Sequence, residues 1–507
     1  MKIMYYALKS RLLCYFGGGL ISLGLSVAAF SQTTTVEEVE ESEVAQQIRE
    51  ALEAQTPGEG TPQFAVANVI GRVCPQAAGI DTTTRTISPS LLDACSAMAG
   101  AALSDDPEER DKARQAIAAV TPDTVSSVRN DALASINIQT LNVTSRLAAL
   151  RTGAGGFSVA GLNFDIEGNP ISGRQVHGLL EALIHGGAAS GDPSGFSRLG
   201  VFVSGSITSG DRSGTNNAEG FDFDVYGLTL GADYRLSDNL IVGAALGYSS
   251  TEAETFAQTS PIDGSTFRRG KLDADSYSFT LYGSHYQTDE FFIDGSLSYG
   301  RGDYDQSRRV RYTLPSAVVG PDQAIVNQNF DASFKGNQFG VSLLAGYDFR
   351  QDALTLTPTA RLQYSRARID AYSERQGSNP GTAGADLNVE IDKQTYRSLA
   401  LGVGGQVSYA VSQSWGILQP FASLEYVYDF EKNDKAVSGR FVNDDPSAGK
   451  ISFELPVDSR DQDYFNLGIG VSAQFVDGVA GFISYDRLLG YDDLKQYRIN
   501  AVLRFEF

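Results

Sequence analysis

Cysteine and histidine are scarce in this chain, which has three of each among its 507 residues. Cys14 lies close to the amino terminus, whereas Cys74 and Cys95 lie further along the chain. The histidines are more distant still, at His177, His185 and His285, and no carboxylate cluster accompanies the cysteines. Because a metal site needs several such ligands at suitable spacing, we expect no metal site and no other cofactor.

Long apolar runs are also rare, and the one that exists lies at the amino terminus. Uncharged residues fill Leu12 to Phe30, directly after the cations Lys2, Lys9 and Arg11. The small residues around Phe30 predict an export signal that is cut between Ser31 and Gln32 after delivery to the general secretion machinery. The competing interpretation is a membrane-spanning helix, but the glycine run at 17–19 and the small-residue exit favour cleavage.

The absence of a second apolar run restricts what the exported chain can be. It must be periplasmic, secreted or a membrane β-barrel, because the lipid core admits only helices and closed barrels. Cys14 would leave with the signal. In the oxidising periplasm the remaining pair, Cys74 and Cys95, is expected to form a disulfide that closes a loop of about 20 residues.

Basic residues are in deficit, since 40 lysines and arginines face 61 acidic residues and give a formal net charge of -21. This balance argues against a nucleic-acid partner, whose phosphates require a basic surface. The acidic run VEEVEESE, from Val36 to Glu43, is typical of a solvated terminus, although it could also attract calcium or a receptor. Asp222, Asp224 and the pair Asp444-Asp445 indicate weak cation binding at most.

The carboxyl-terminal residues alternate between apolar and polar side chains. Val502 is the one exception to a pattern that places Tyr497, Ile499, Ala501, Leu503, Phe505 and Phe507 on one face and Arg498, Asn500, Arg504 and Glu506 on the other. A strand with lipid on one side and water on the other has this pattern. The sequence therefore predicts a transmembrane β-barrel whose last strand ends at Phe507.

Twelve alternating segments follow one another in the carboxyl-terminal part of the chain. They are Leu199–Thr208, Asp222–Leu236, Leu240–Ala253, Asp273–Gln287, Phe291 to beyond Arg301, Asn327–Arg350, Leu354–Tyr372, Gln394–Ala410, Trp415–Phe430, Tyr464–Phe475, Val479–Arg487 and Tyr497–Phe507. The links between them alternate strictly between short turns and long polar segments. Outer-membrane barrels have this pattern of periplasmic turns and outer loops, so we predict a mainly β fold with a 12-stranded antiparallel transmembrane barrel.

A barrel of twelve strands has a lumen too wide to be filled by its own side chains in the way that an eight-stranded barrel is. Glycines at positions 227, 231, 243, 247, 402 and 404 are predicted to face inward. They would either leave room for an inserted element or ease the curvature of the barrel. Arg235, Arg361 and Gln363 are expected to give the lumen a polar, charged lining.

The region before the barrel is rich in alanine, glutamate and arginine, and it carries several helix-start signals. Helices are predicted over Val36–Ala54, from Ser88-Pro89, from Asp106-Pro107 to about Val120, and from Thr121-Pro122 to Arg151. The predicted organisation is a signal peptide (1–31), a small α-helical region (32–151) with a long helix over 122–151, a glycine-rich connector with a short linker helix (152–195), and the barrel (196–507).

This arrangement resembles the autotransporters of the type V secretion family. The most specific stretches are VYGLTLGADYRLSDNLIVGAALG, from Val225 to Gly247, and the closing LRFEF. The stretch NVTSRLAALRTGAGGFSVAGL, from Asn142 to Leu162, is similar to the junction that precedes the barrel in members with a short passenger.

The resemblance implies insertion by the barrel assembly machinery, helped by periplasmic chaperones, through a carboxyl-terminal signal formed by Tyr497, Leu503, Phe505 and Phe507. It also implies that a helix stays in the pore after the amino-terminal passenger has crossed. Two features depart from the family pattern. The passenger is too short for the usual right-handed β-helix and has no repeat, and the linker lacks the paired asparagines of self-cleaving members, which argues against release.

Some family members carry a serine esterase, but this chain has neither a Gly-Asp-Ser-Leu block nor a G-x-S-x-G motif. His177 and His185 are expected to be solvated or to line the pore, and we predict that the chain is not an enzyme.

Its expected function is to insert in the outer membrane and display its own helical passenger at the surface, for adhesion or cell-cell contact. The alternative is an outer-membrane channel or structural barrel whose helical domain stays periplasmic as a plug. Arg308, Arg309 and Arg311 could contact lipopolysaccharide phosphates or line the lumen.

Overall fold

The structure is a computed structural model that describes residues 41–80, 85–122, 128, 142–143, 147, 163–166, 169–172, 199–313, 325–431, 435–444, 449–475 and 479–506. The predicted cleavage position, His177, His185, the predicted short linker helix and Phe507 lie outside these residues. Most of the acidic run from Val36 to Glu43 and most of the predicted long helix also lie outside them.

Four helices precede the barrel in the described part of the chain: α1 (Glu43–Glu53), α2 (Pro62–Ala77), α3 (Pro89–Ala102) and α4 (Pro107–Val120). Each begins after a side chain that accepts a hydrogen bond from a backbone N–H of the first turn, namely Ser42, Thr61, Ser88 and Asp106. Proline occupies the first turn of α2, α3 and α4, where its missing N–H costs nothing. The helices predicted from Ser88-Pro89 and Asp106-Pro107 are present, and α2 was missed although Thr61-Pro62 is the same signal.

The helical domain, Glu43–Val120, shares one apolar core with residues of the barrel strands and their links, such as Phe330 and Phe453. Leu52, Val69, Leu91 and Ile117 are nearly or fully buried in it. A disulfide joins Cys74 of α2 to Cys95 of α3 across a sequence separation of 21, which confirms the pairing expected for the two cysteines of the exported chain. Both cysteines are buried, so the covalent link lies within the packed helices.

Replacing both cysteines with alanine should lower the free energy of unfolding of the helical domain by about 3 kcal/mol, because the open chain gains conformational entropy. The measurement is the protease sensitivity of the helical domain in the folded full-length protein. Wild-type protein treated with a reductant is the matched control and should lose a similar amount of protection. Equal protection of oxidised, reduced and substituted protein would contradict the expectation.

Twelve long strands form the barrel across the described residues from 199 to 506. They are β1 (Leu199–Arg212), β2 (Phe221–Ser237), β3 (Leu240–Thr255), β4 (Gly270–Tyr286), β5 (Phe291–Thr313), β6 (Ile325–Tyr347), β7 (Leu354–Ile369), β8 (Gln394–Tyr409), β9 (Gly416–Asp429), β10 (Asp463–Phe475), β11 (Val479–Leu489) and β12 (Leu494–Glu506). Each pairs antiparallel with the next, and β12 pairs with β1, with Leu503 opposite Val203. The predicted 12-stranded antiparallel barrel is confirmed.

The two ends of the barrel differ in their connections. The links β2–β3, β4–β5, β6–β7, β8–β9 and β10–β11 are short and lie at the end where β1 begins, whereas five of the six links at the opposite end are longer. The sixth, between β11 and β12, has only four residues. We call that opposite end, away from the start of β1, the long-loop end. At 23 residues each, β5 and β6 would be about 76 Å long, far more than is needed to cross a membrane. They therefore extend past the other barrel strands at the long-loop end.

The links at the long-loop end contain secondary structure that the sequence pattern did not predict. A four-stranded sheet is formed by Tyr372–Ser373, Val389–Ile391, Val437–Phe441 and Phe453–Leu455. A hairpin joins Ala257–Thr259 to Thr266–Arg268. The short strands of the sheet lie too far apart in sequence to be recognised from local alternation.

The outward face of the strands carries a broad apolar surface. Its members are large exposed side chains, including Leu228, Leu230, Leu246, Phe279, Leu281, Leu297, Leu343, Leu356, Leu362, Ile469, Ile483, Ile499 and Leu503. Their neighbours in sequence point inward and are mostly polar or small. This is the arrangement that a lipid environment requires.

Among the residues that the structure describes, no helix is long and apolar enough to span a membrane.

Candidate functional site

The lumen of the barrel contains part of the chain that precedes it. Asn142, Val143 and Leu147 are helical and almost completely buried. Asn142 Nδ2 donates to Thr229 Oγ1 on β2 at 3.0 Å. Val143 and Leu147 share one apolar cluster with inward-facing residues of the barrel, namely Phe202, Ile241, Ala245, Tyr282 and Val502. The stretch predicted as the long helix therefore contributes to the filling of the pore.

The inward-facing glycines make room for aromatic rings of the barrel itself. A Cβ atom at Gly231 would lie 2.3 Å from the Phe202 ring, and one at Gly243 would lie 2.3 Å from the Tyr282 ring. Phe202 and Tyr282 meet edge to face, with ring centroids 6.2 Å apart. These rings in turn belong to the cluster with Val143 and Leu147. The glycines thus serve the inserted element indirectly, through the aromatic residues that pack with it.

Gly231→Ala should destabilise the barrel by about 1–3 kcal/mol, because the new methyl group overlaps the ring of Phe202. Gly205→Ala is the matched control, since a Cβ there meets no atom within 4 Å. The measurement is the temperature at which the barrel loses its folded mobility on an unheated gel. Equal transition temperatures for the two variants would contradict this packing account.

Charged groups also line the lumen. The Arg361 guanidinium pairs with Glu425, with Nη2 to Oε2 at 2.6 Å, and donates to Gln363 Oε1 at 2.6 Å. Asn466 donates to the same Glu425 carboxylate at 3.2 Å. Arg361 and Gln363 therefore occupy the lumen as predicted, whereas Arg235 lies beside the β2–β3 turn and donates to the Asp238 carbonyl.

The helical domain packs against the long-loop end, and the carboxyl end of α4 is the centre of that contact. Arg269, just before β4, donates through Nη2 to the carbonyls of Ala118 at 2.7 Å, Ala119 at 3.1 Å and Thr121 at 3.3 Å. Arg308 of β5 donates to the carbonyl of Val120 at 3.0 Å. Carbonyls at a helix end have no partner within the helix and carry partial negative charge, so two cations from the barrel stabilise this end.

Arg308 is held by a buried ion pair. Its Nε and Nη2 donate to the two carboxylate oxygens of Glu374 at 2.7 and 2.6 Å, and both side chains are fully buried. The Phe330 ring lies 4.8 Å from the guanidinium carbon. Glu374 also accepts from the backbone N–H of Val389 at 3.0 Å. The pair thereby joins the barrel strand, the loop sheet and the helical domain.

A second buried ion pair runs in the opposite direction, from the helical domain to a barrel loop. Arg85 Nη1 donates to Asp444 Oδ1 at 2.5 Å, and both side chains are almost completely buried. Arg85 Nη2 donates to the carbonyl of Gly449 at 2.6 Å. Ile87 forms a β-bridge with Asp444, which adds a backbone link between the same two segments.

Three aromatic residues, Tyr304 of β5, Phe334 of β6 and Tyr372 of the loop sheet, form a stack. The rings of Tyr304 and Phe334 lie 5.2 Å apart, and those of Phe334 and Tyr372 lie 4.1 Å apart. Burial raises the pKa of Tyr372, and the nearby Glu374 carboxylate raises it further. The phenol is therefore neutral, and its hydroxyl donates to Gln306 at 3.2 Å.

The other residues that the sequence singled out lie apart from one another. Arg309 donates to Asn329 at 3.1 Å and Arg311 to Asn327 at 2.8 Å, both on the outward face. Asp224 accepts from Ser209 at 2.5 Å, and Asp222 lies 3.5 Å from Arg268. His285 is exposed on the outward face of β4. Within the described ranges, no group of three or more metal-ligating side chains is found.

A family model for the autotransporter beta-domain matches residues 201–486, more than half of the chain. The chain belongs to the autotransporter family. Its barrel is an outer-membrane translocator domain of a Gram-negative bacterium, with the short turns facing the periplasm and the long-loop end facing outward. We call this end the outer mouth. Autotransporters use secretion and outer-membrane insertion machinery in general, and this chain shares that requirement.

Several curated proteins are similar to this autotransporter over part of their length. The putative uncharacterized protein YaiT of Escherichia coli K12 is 25% identical over 301 residues, which cover 58% of this chain and 26% of YaiT. Outer membrane protein A of Rickettsia conorii is 24% identical over 316 residues, which cover 61% of this chain and 14% of that protein. Esterase EstA of Pseudomonas aeruginosa is 25% identical over 310 residues, which cover 60% of this chain and 42% of EstA. The chain thus spans less than half of each relative.

Solved autotransporter barrels are structurally similar at a modest level. The translocator domain of NalP from Neisseria meningitidis is 17% identical, with a TM-score of 0.44, and the match covers 66% of this chain and 96% of that one. The beta domain of BrkA from Bordetella is 20% identical, with a TM-score of 0.39, and the match covers 61% of this chain and 99% of that one.

Proposed function

We propose that this autotransporter exports its own helical domain and keeps it docked over the outer mouth of the barrel. The observation that supports the proposal most strongly is the binding of the α4 carbonyls by Arg269 and Arg308. Both arginines belong to the outward end of the barrel. A domain that remained in the periplasm would face the opposite end, where the short turns lie.

The route of the chain through the barrel supports the same proposal. Asn142, Val143 and Leu147 lie in the lumen, between the docked helical domain and the first barrel strand in sequence order. These three residues place this part of the chain inside the pore, and β1 begins at the periplasmic end. The helical domain and the lumen segment would together close the pore after export.

We propose adhesion or cell-cell contact as the role of the displayed domain, because its outer surface would be the part of the molecule that meets other cells. We further propose that the barrel assembly machinery and periplasmic chaperones insert the barrel, with Tyr497, Leu503, Phe505 and Phe507 as the carboxyl-terminal signal. The general secretion machinery would deliver the chain after recognition of the signal that ends at Ser31 and Gln32.

The proposed role requires no catalysis. EstA is named as an esterase, so ester hydrolysis is the activity to test against this proposal. Purified full-length protein should hydrolyse a short-chain nitrophenyl ester no faster than buffer does. A clear rate above buffer that depends on a serine of the chain would contradict the non-enzymatic role.

Protease treatment of intact cells tests the display proposal. A tag is placed after Gln32, and a periplasmic marker reports the integrity of the outer membrane. We expect the tag to be lost while the barrel survives and the marker stays protected. Protection of the tag until the membrane is permeabilised would instead support a channel or structural barrel with a periplasmic plug.

A further inference from the structure

Four arginines lie close together on the outward face of the barrel. Arg366 of β7 is directly opposite Arg397 of β8. One step further toward the outer mouth, Arg368 of β7 and Arg301 of β5 are both in register with Asn337 of β6, from its two sides. Their sequence neighbours Gly300, Ser365, Ala367 and Tyr396 are buried in the inward direction, so the four arginines point outward. We call Arg301, Arg366, Arg368 and Arg397 the arginine patch.

The arginine patch begins where the broad apolar surface of the outward face ends. The adjacent row toward the periplasm consists of Val341, Tyr364 and Leu399, in register on β6, β7 and β8. Strand residues two positions apart are about 7 Å apart, so the guanidinium groups start within one such step of the apolar surface. Lipid head groups occupy this level, just beyond the hydrocarbon region.

The patch is electrostatically unbalanced as it stands. Two like charges directly opposite on neighbouring strands destabilise a sheet. The carboxylates of the next row, Asp303 and Asp370, form ion pairs with Lys335 and Lys393. Among the described residues, no carboxylate lies within ion-pair distance of any arginine of the patch, and Arg366 Nε is buried there with no hydrogen-bond partner.

We propose that the arginine patch binds the phosphate group of an outer-leaflet lipid. A guanidinium presents paired N–H donors that match phosphate oxygens, and a phosphate between Arg366 and Arg397 would relieve their repulsion. The row of Val341, Tyr364 and Leu399 would contact the acyl chains of the same lipid. The triplet at 308, 309 and 311, which suggested lipopolysaccharide contact from sequence, has other partners: Arg308 is buried, and Arg309 and Arg311 donate to asparagines.

Lipid binding by the purified full-length protein in a neutral detergent tests the proposal. The probes are phosphorylated lipid A, dephosphorylated lipid A and inorganic phosphate, each measured by native mass spectrometry. Wild-type protein should bind phosphorylated lipid A in preference to the other two probes. The variant Arg366→Gln/Arg397→Gln should bind it about tenfold more weakly, which corresponds to about 1.4 kcal/mol.

Arg311→Gln is the matched control, because Arg311 is an outward-facing arginine outside the patch and should leave lipid binding unchanged. Folded mobility on an unheated gel verifies that each variant has formed its barrel. If wild-type protein bound phosphorylated and dephosphorylated lipid A equally well, that result alone would contradict the proposal, because the phosphate group would then contribute nothing to binding. Displacement of the lipid by inorganic phosphate at comparable concentration would overturn the lipid assignment, and equal binding by the patch and control variants would overturn the location.

Discussion

Glu374→Ala should loosen the helical domain from the outer mouth while the barrel itself stays folded. The substitution removes the only carboxylate that forms an ion pair with Arg308 among the described residues, and it leaves that guanidinium fully buried. Breaking a buried pair from one side costs about 3–5 kcal/mol, because the remaining charge has lost its compensation. The Val389 N–H and the contact between Arg308 and Val120 would be disturbed at the same time. The measurement is the rate at which a protease cuts the helical domain in the folded protein.

Asp331→Ala is the control for this prediction. Its partner Arg375 lies at 3.7 Å in a pair that is largely exposed, with 73% and 50% of the two side chains accessible. Exposed pairs contribute about 0–1 kcal/mol, so this variant should keep the wild-type cutting rate. If Glu374→Ala were cut as slowly as Asp331→Ala, the buried pair would not be what secures the helical domain.

The barrel could be predicted from sequence because lipid outside and a polar lumen inside impose one rule on every strand. In β7, Leu354, Leu356 and Leu362 point outward while Thr355 and Gln363 point inward, and the predicted strand begins at the observed residue. The error lies at the other end, where the strand was extended to Tyr372. That residue belongs to the loop sheet, in which alternation continues after the barrel strand has ended at Ile369.

The site at the outer mouth could not be predicted in the same way. Arg85 and Asp444 are 359 residues apart, and neither stands in a local pattern that marks it as half of a pair. Asp444 was interpreted as part of a weak cation site, and its cation is instead an arginine of the helical domain. The residues 308, 309 and 311 alternate on a strand, so Arg308 turns inward while Arg309 and Arg311 turn outward. Sequence alone could not separate them, because the inward side of β5 is covered by α4 only in the folded molecule.

The inward glycines illustrate an intermediate case. Their facing direction followed from alternation, and it agrees with the burial of Gly227, Gly247 and Gly402 in the structure. The side chains that these glycines accommodate could not be predicted from alternation, because they come from neighbouring strands. Phe202 lies over Gly231, and Glu425 lies over Gly402. Pairing between strands determines which side chain lies over which glycine, and pairing is not visible in a single segment.

The contact between Arg85 and Asp444 should determine whether the helical domain stays attached after the chain is cut. We place a protease site after Pro122, so that cleavage leaves the helical domain held only by its non-covalent contacts. Wild-type domain should remain with the barrel. Arg85→Ala should release it, because Asp444 would keep a buried charge without its partner, at a cost of about 3–5 kcal/mol. This corresponds to weakening of the attachment by about two orders of magnitude or more.

The complete set of variants separates this ion pair from general damage to the interface. Asp444→Ala alone should release the domain to a similar extent, since Arg85 would then be the uncompensated charge. The double variant should be no worse than either single one, because the second substitution removes the charge that the first had left unpaired. Additive losses in the double variant would mean that the two side chains act independently, and the buried pair would then not be what retains the helical domain.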